Sequence, residues 1–155
     1  MNATFVKHIQ HLDRKVDELL SSPAYKYSSL PRGIPKCGIY LFSDGPQHLY
    51  VGRSNRIRGR LGSHCRDSSK HNAASFAFRL ARTDSGMTEA AYTTSGSRDV
   101  LSTDIHFSKS FREAKIYLKK LDIRFVEENN QITQALLEIY TAIRLETPHN
   151  DFGTH

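Results

Sequence analysis

Residues 37–52 read Cys37-Gly38-Ile39-Tyr40-Leu41-Phe42-Ser43-Asp44-Gly45-Pro46-Gln47-His48-Leu49-Tyr50-Val51-Gly52, two short apolar and aromatic runs around a cluster of turn formers. Glycine supplies positive φ and proline presets its own φ, so Asp44-Gly45-Pro46-Gln47 favours a reversal of the chain. The runs Cys37 to Ser43 and His48 to Gly52 are expected to pair as a β-hairpin. Alternation along a strand sends Ile39 and Leu41 to one face and Tyr40 and Phe42 to the other, while Tyr50 alternates with Leu49 and Val51. Tyr40 and Tyr50 can therefore share one face of a sheet.

Upstream, Phe5, Ile9, Leu12, Val16 and Leu19 recur at helical steps and predict an opening helix of about 16 residues. Ser21-Ser22-Pro23 ends it, and the proline- and serine-rich stretch to Pro35 reads as an irregular connector. Tyr25, Lys26, Tyr27, Arg32 and Lys36 lie in or just after that connector, either as a solvated loop with packed tyrosines or as contacts to nucleic acid. Downstream, Ser54 or Asn55 is positioned to cap a helix carrying Ile57 and Leu61, and a second helical pattern runs from about Asn72 to Ala81. The stretch 82–107 loses periodicity and reads as a long loop. Ser110-x-x-Glu113 is a capping-box pattern opening a helix through Phe111, Ala114, Leu118 and Leu121. Asp122 to Glu127 is expected to be a third strand, and Ile132, Leu136, Ile139 and Ile143 mark a last helical stripe closed by Pro148. This order describes a small sheet covered by helices.

At 155 residues, with 38% hydrophobic and 25% charged side chains, the chain fits one globular domain with its own core. No apolar run approaches the roughly 20 residues that cross a bilayer, which argues against membrane insertion. The first ten residues hold no apolar segment of a secretory signal, so a cytoplasmic location is the default expectation. Cys37 and Cys65 lack metal-ligand spacing and read as reduced thiols. The net charge is +6, and from Arg53 to Lys70 six basic residues, Arg53, Arg56, Arg58, Arg60, Arg66 and Lys70, face Asp67 alone. Such concentration points to a polyanionic partner.

Hydrolysis of a phosphodiester needs a group that activates water, a cation facing the phosphoryl oxygens and usually a carboxylate-held metal. Phenols have an ordinary pKa near 10, so a tyrosine serves as base only where cations favour its phenolate; tyrosines in hairpins otherwise simply pack. Arg56, Arg60 and His64 recur at four-residue steps and form one basic, titratable ridge on the helix after Tyr50. Glu138 falls about 120° from the last apolar stripe by helical geometry, with Glu127, Glu128 and Glu146 as rival carboxylates. Phosphate loops of the G-x-x-x-x-G-K-[ST] kind, H-E-x-x-H pairs, G-x-S-x-G elbows and dinucleotide fingerprints are all missing from the sequence.

Taken together, Gly38-Ile39-Tyr40 and Tyr50-Val51-Gly52 at this spacing resemble the GIY-YIG nuclease superfamily, over roughly Lys36 to Asp151. The resemblance continues through Arg53, Arg60 and His64, the Leu137-Glu138 pair and Pro148-His149-Asn150. It implies an α/β fold with a small, three-stranded, mainly antiparallel sheet flanked by helices and preceded by an N-terminal helix. Residues 1–35 would pack on a nuclease domain of residues 36–155, one domain overall. The implied catalytic set is Tyr40, Tyr50, Arg60, His64, Glu138 and Asn150, converging on one face. Either tyrosine would be general base, His64 would orient or relay a proton, Arg60 would bind the scissile phosphate and Asn150 would position the site. Glu138 would hold one Mg²⁺ or Mn²⁺ ion, and Arg53, Arg56, Arg58 and Arg66 would touch the nucleic acid. The implied activity is that of a metal-dependent endonuclease acting on DNA, the alternative a module that binds nucleic acid by the same basic face without cutting. A homodimer is one arrangement that would let both strands be cut.

Overall fold

A computed structural model describes residues 1–70, 73–84 and 105–153. Strand β1 (Gly38–Asp44) pairs antiparallel with β2 (Gln47–Ser54) on one side and with β3 (Asp122–Glu127) on the other, giving the order β2-β1-β3. The hairpin and the third strand lie where the alternation predicts them, and the fold is α/β with a three-stranded antiparallel sheet flanked by helices. Gly45, at φ +56, takes the first corner of the two-residue connection, a backbone conformation that favours glycine. Between the pairs Phe42–Tyr50 and Ser43–His48 the register shifts, so Leu49 is an extra residue on β2, the signature of a bulge.

Both sheet edges are closed, as exposed strand edges must be to avoid pairing with other chains. Along β3, Tyr25 exchanges two backbone hydrogen bonds with Ile123, at 2.9 and 2.8 Å, and its ring stacks on Phe125. Along β2, the His149 N–H donates to the Leu49 carbonyl at 3.2 Å, and the Asn150 amide brackets Val51. Gly38, at φ +151, has no room for a side chain: a Cβ there would overlap the Val126 carbonyl oxygen of β3.

The described residues fall into two compact units, residues 1–60 with 121–150, and residues 61–120 with the tail from Asp151. In the first, Ile39, Leu41, Val51 and Val126 from one sheet face pack with Leu12, Val16 and Leu19 of helix α2 (Leu12–Ser21) and with Leu137 of the last helix (Gln131–Leu145). The opening helix is not continuous: α1 (Ala3–Ile9) ends before α2, with His11 at φ −116, ψ 9 between them. Both parts lie against the last helix but are held differently. Helix α2 buries three apolar residues and α1 buries none, Phe5 being 41% exposed, so α1 is tied instead by His8 Nδ1 and Thr133 Oγ1 at 2.8 Å.

Helix α3 (Ile57–Cys65) runs from the first unit into the second, which also holds α4 (Ser75–Asp84) and α5 (Ile105–Lys119). Phe78, Ala81, Phe107 and Phe111 bind α4 to α5, the Phe78 and Phe107 rings lying 4.9 Å apart. Burial of Phe107 explains why α5 begins at Ile105 rather than at Ser110: the capping-box reading fails, and the Ser110 hydroxyl donates instead to Asp84 at 3.1 Å. Of the loop expected over 82–107, both ends are helical, and its middle, 85–104, lies outside the described residues.

The last helix, α6 (Gln131–Leu145), begins where Asn130 accepts hydrogen bonds from the N–H groups of Ile132 and Thr133, both at 3.0 Å. Its buried face corrects the sequence expectation. Ile132, Ile139 and Ile143 are 58%, 41% and 68% exposed, whereas Gln134, Leu137, Thr141 and Ala142 turn inward. Polar groups at the strand ends select that face: Gln134 Nε2 donates to the Glu128 carbonyl at 3.0 Å and to Asn55 Oδ1 at 3.2 Å, bonds that isoleucine cannot make. Among the described residues no helix is long and apolar enough to cross a membrane, and both cysteines are free thiols.

Gly38→Ala should lower stability by about 1–3 kcal/mol, because the added methyl meets backbone rather than a side chain that can move. Urea unfolding of the parent and variant measures it directly.

Candidate active site

Tyr40 stands opposite Gly52 across the hairpin. A Cβ at position 52 would fall inside the Tyr40 ring and hydroxyl, so the missing side chain is what lets the phenol cross β2. The ring is 1% exposed, meets Phe42 edge-on at 5.9 Å and lies 6.5 Å from the half-exposed Tyr50 ring. Phe42 is the register partner of Tyr50, which puts both tyrosines on the sheet face opposite Ile39 and Leu41, as the alternation predicts.

Arg60 reaches this phenol from the first turn of α3 and donates a hydrogen bond to its hydroxyl. That turn is set locally. The Ser54 hydroxyl accepts the Arg56 N–H at 2.9 Å, the Lys36 carbonyl takes the Ile57 N–H at 2.9 Å, and the Arg56 carbonyl accepts the Arg60 N–H at 2.9 Å. Asn55 turns away and exchanges hydrogen bonds with Gln131 at 3.0 and 2.8 Å.

Glu138 approaches from α6, where its carboxylate accepts a hydrogen bond from Arg53 Nε at 3.1 Å. Burial holds this carboxyl above the usual carboxylate range, and the charges of Arg53 and Arg60 pull against that shift. Burial likewise pushes the Tyr40 phenol well above its ordinary value, Tyr50 adds to the rise, and Arg60 opposes it by charge and hydrogen bond. The fold thus gathers Tyr40, Tyr50, Arg53, Arg60 and Glu138 from β1, β2, α3 and α6.

Other expected residues sit differently. Asn150 is turned to the strand backbone: Oδ1 accepts the Val51 N–H and Nδ2 donates to the Val51 carbonyl, both at 2.8 Å, while Thr147 Oγ1 donates to Oδ1 at 2.8 Å. It fixes the residue between Tyr50 and Gly52. His64 belongs to the second unit, buried in α3 with its ring edge-on to Phe76 at 6.4 Å, and Arg66 is exposed there. Arg56 and Arg58 line a separate basic pocket.

A hard divalent cation suits Glu138 as one ligand. Mg²⁺ keeps several waters and commonly takes one or two carboxylates together with substrate phosphate. Glu138 offers a half-buried oxygen pair beside two arginines, and among the described residues no group of three or more His, Cys, Asp or Glu forms an all-protein cage. The Arg53–Glu138 pair was not apparent in the sequence. The signal lay in the row of Gln134 and Thr141, one helical turn either side of Glu138, which marks the inward face of α6.

Residues 36–94 match the family model of the GIY-YIG catalytic domain, the segment that supplies both tyrosines, Arg53, Arg60 and His64. Over that segment the chain is similar to the catalytic domain of the GIY-YIG family, whose members are nucleases. Neither the curated proteins nor the solved structures give a match to the chain.

Because the folded state favours the neutral form of Glu138, its charge disfavours folding above the usual carboxylate pKa. Glu138→Gln should therefore be at least as stable as the parent at pH 7, with the difference vanishing as pH falls and the parent carboxyl protonates. Thermal melts across that pH range read both outcomes.

Proposed function

We propose that this chain is an endonuclease that hydrolyses DNA phosphodiester bonds with one divalent metal ion. The observation that carries the reading is the buried hydrogen bond from Arg60 to Tyr40 beside the Glu138 carboxylate. A guanidinium has five N–H donors in a planar fork, so it can hold the phenol and a phosphate oxygen together. Arg60 thereby binds the scissile phosphate and meets the charge that builds on it in the transition state. Tyr40 receives the proton of the attacking water through its phenolate, which Arg60 favours. Tyr50 sits beside that phenol and bounds the approach of water. Glu138 would hold the Mg²⁺ or Mn²⁺ ion, which when bound would draw charge from the phosphoryl oxygens. Arg53 orients the carboxylate and partly offsets the effect of burial on it. Asn150 acts through the backbone, by holding β2 in register between Tyr50 and Gly52.

Plasmid, linear and branched DNA incubated with Mg²⁺ or Mn²⁺ should be cut by the parent and spared by Glu138→Ala and Tyr40→Phe. Equal background cutting by all three proteins would sink the proposal. Salt-sensitive DNA binding that none of these changes alters would instead identify a module that binds without cutting.

Raising the phenol pKa leaves only a small phenolate fraction at neutral pH, and that fraction grows tenfold with each pH unit below the pKa. The single-turnover rate should rise with a slope of about one between roughly pH 7 and pH 9. Tyr50→Phe should keep the slope. A slope lost in Tyr50→Phe and kept in the residual activity of Tyr40→Phe would reverse the assignment of the base.

A further inference from the structure

An open cavity of about 270 Å³ lies where the connector meets the start of α3, and it is not used by the chemistry above. Four of its lining residues are cationic, Arg32 and Lys36 from the connector and Arg56 and Arg58 from the helix start, over Ile34 and Ile57, and no carboxylate lines it. Like charges gathered in one hollow repel, by about 1 kcal/mol per close pair even in water, unless an anion sits among them. We propose that this pocket is the seat of a DNA backbone phosphate, on the strand whose scissile phosphate Arg60 holds. The proposal rests on the nuclease reading and adds where the rest of the strand is gripped.

The pocket is built before any ligand arrives. The Lys36 carbonyl accepts the Ile57 N–H at 2.9 Å, and the Arg58 guanidinium donates to the Pro31 carbonyl, so the connector is fastened to α3 on both sides of Arg32. Cations held in place by backbone bonds lose less freedom on binding than cations on a loose loop. Planar guanidinium forks match phosphate oxygens, and Arg56 and Arg58 supply two of them.

Spacing links the pocket to the cleavage site. The hydrogen bond from the Arg60 N–H to the Arg56 carbonyl shows one complete helical turn between them. Four residues at 1.5 Å rise separate the two levels by about 6 Å along the axis. Two long arginine side chains rising from levels this close reach neighbouring phosphates of one strand, which places a phosphate at Arg56 about one to two nucleotides from the one at Arg60.

The test compares the parent with an Arg32→Ala, Lys36→Ala double variant, both positions being exposed. Binding of a fluorescein-labelled DNA duplex is followed by anisotropy in metal-free buffer over a series of salt concentrations. The seat predicts a salt slope shallower by about 0.9 in the variant, as one phosphate fewer is neutralised, with about tenfold weaker binding at low salt and an unchanged melting temperature. Arg32→Lys with Lys36→Arg should restore the slope. Duplexes carrying a single methylphosphonate should show one position of weakened parent binding, one to two nucleotides from the cut, to which the double variant is indifferent. Equal slopes and affinities in parent and variant, or parent binding that ignores every methylphosphonate, would overturn the seat. Because binding is read without metal, failure of the parent to cut DNA would count against the nuclease reading and leave this result standing.

Discussion

The Tyr40 phenol crosses β2 at the one position, Gly52, where no side chain stands in its way. Much else in the first unit follows from that crossing. The central strand must be buried on both faces, with Ile39 and Leu41 in the helical core and Tyr40 and Phe42 opposite. Strand β2 must be held in register against it, and β2 is an edge strand carrying a bulge at Leu49. The Asn150 amide secures it at Val51 by imitating the two hydrogen bonds that a neighbouring strand would make. A glycine on one strand and an asparagine nearly a hundred residues later thus serve the placement of a single hydroxyl.

Burial sets the electrostatics of the same group. A phenol and a carboxylate removed from water both resist ionisation, and here each is answered by a guanidinium: Arg60 for Tyr40, Arg53 for Glu138, with Arg60 acting on both. In neither case do the cations fully cancel burial, since both acids remain shifted upward. The site therefore holds two proton-binding groups in tension with their surroundings. For Glu138 that tension costs stability wherever the carboxyl is ionised, a feature that candidate functional sites often share.

The hairpin and β3 were legible because period-two alternation and a glycine-proline turn are local signals, and Cys37 to Gly52 carries both. Tyr40, Tyr50 and Arg60 come from this stretch and the turn that follows it, so much of the site could be read with them. Errors arose where a distant partner outweighed local pattern. Phe107 extends α5 backwards past the capping box at Ser110 by packing on Phe78. In α6 the isoleucines suggested the wrong buried face, because hydrophobicity alone does not register that the carbonyl of Glu128 and the side chain of Asn55 require a partner such as Gln134. Glu138 looked displaced from the core by that misreading, yet it shares a helical row with Gln134 and Thr141. The opening helix broke for a related reason: Phe5 and Ile9 continue the stripe of α2, but only Ile9 packs against the core cluster while Phe5 stays exposed.

Charge is handled in two opposed ways within the first unit. Around Tyr40 the charges are locked into specific bonds, Arg60 to the phenol and Arg53 to Glu138, so that proton concentration acts on the groups directly. In the connector pocket Arg32, Lys36, Arg56 and Arg58 stand close together with no carboxylate in the lining, a field that dissolved ions weaken directly. In the proposed reading, binding and chemistry are consequently governed by different solution conditions although Arg56 and Arg60 are one turn apart on one helix. In the proposed reading, a strand held at its scissile phosphate and at a second phosphate in the connector pocket also resists rotation, so the grip at the connector would direct the reacting phosphate toward Arg60 rather than merely raise its local concentration.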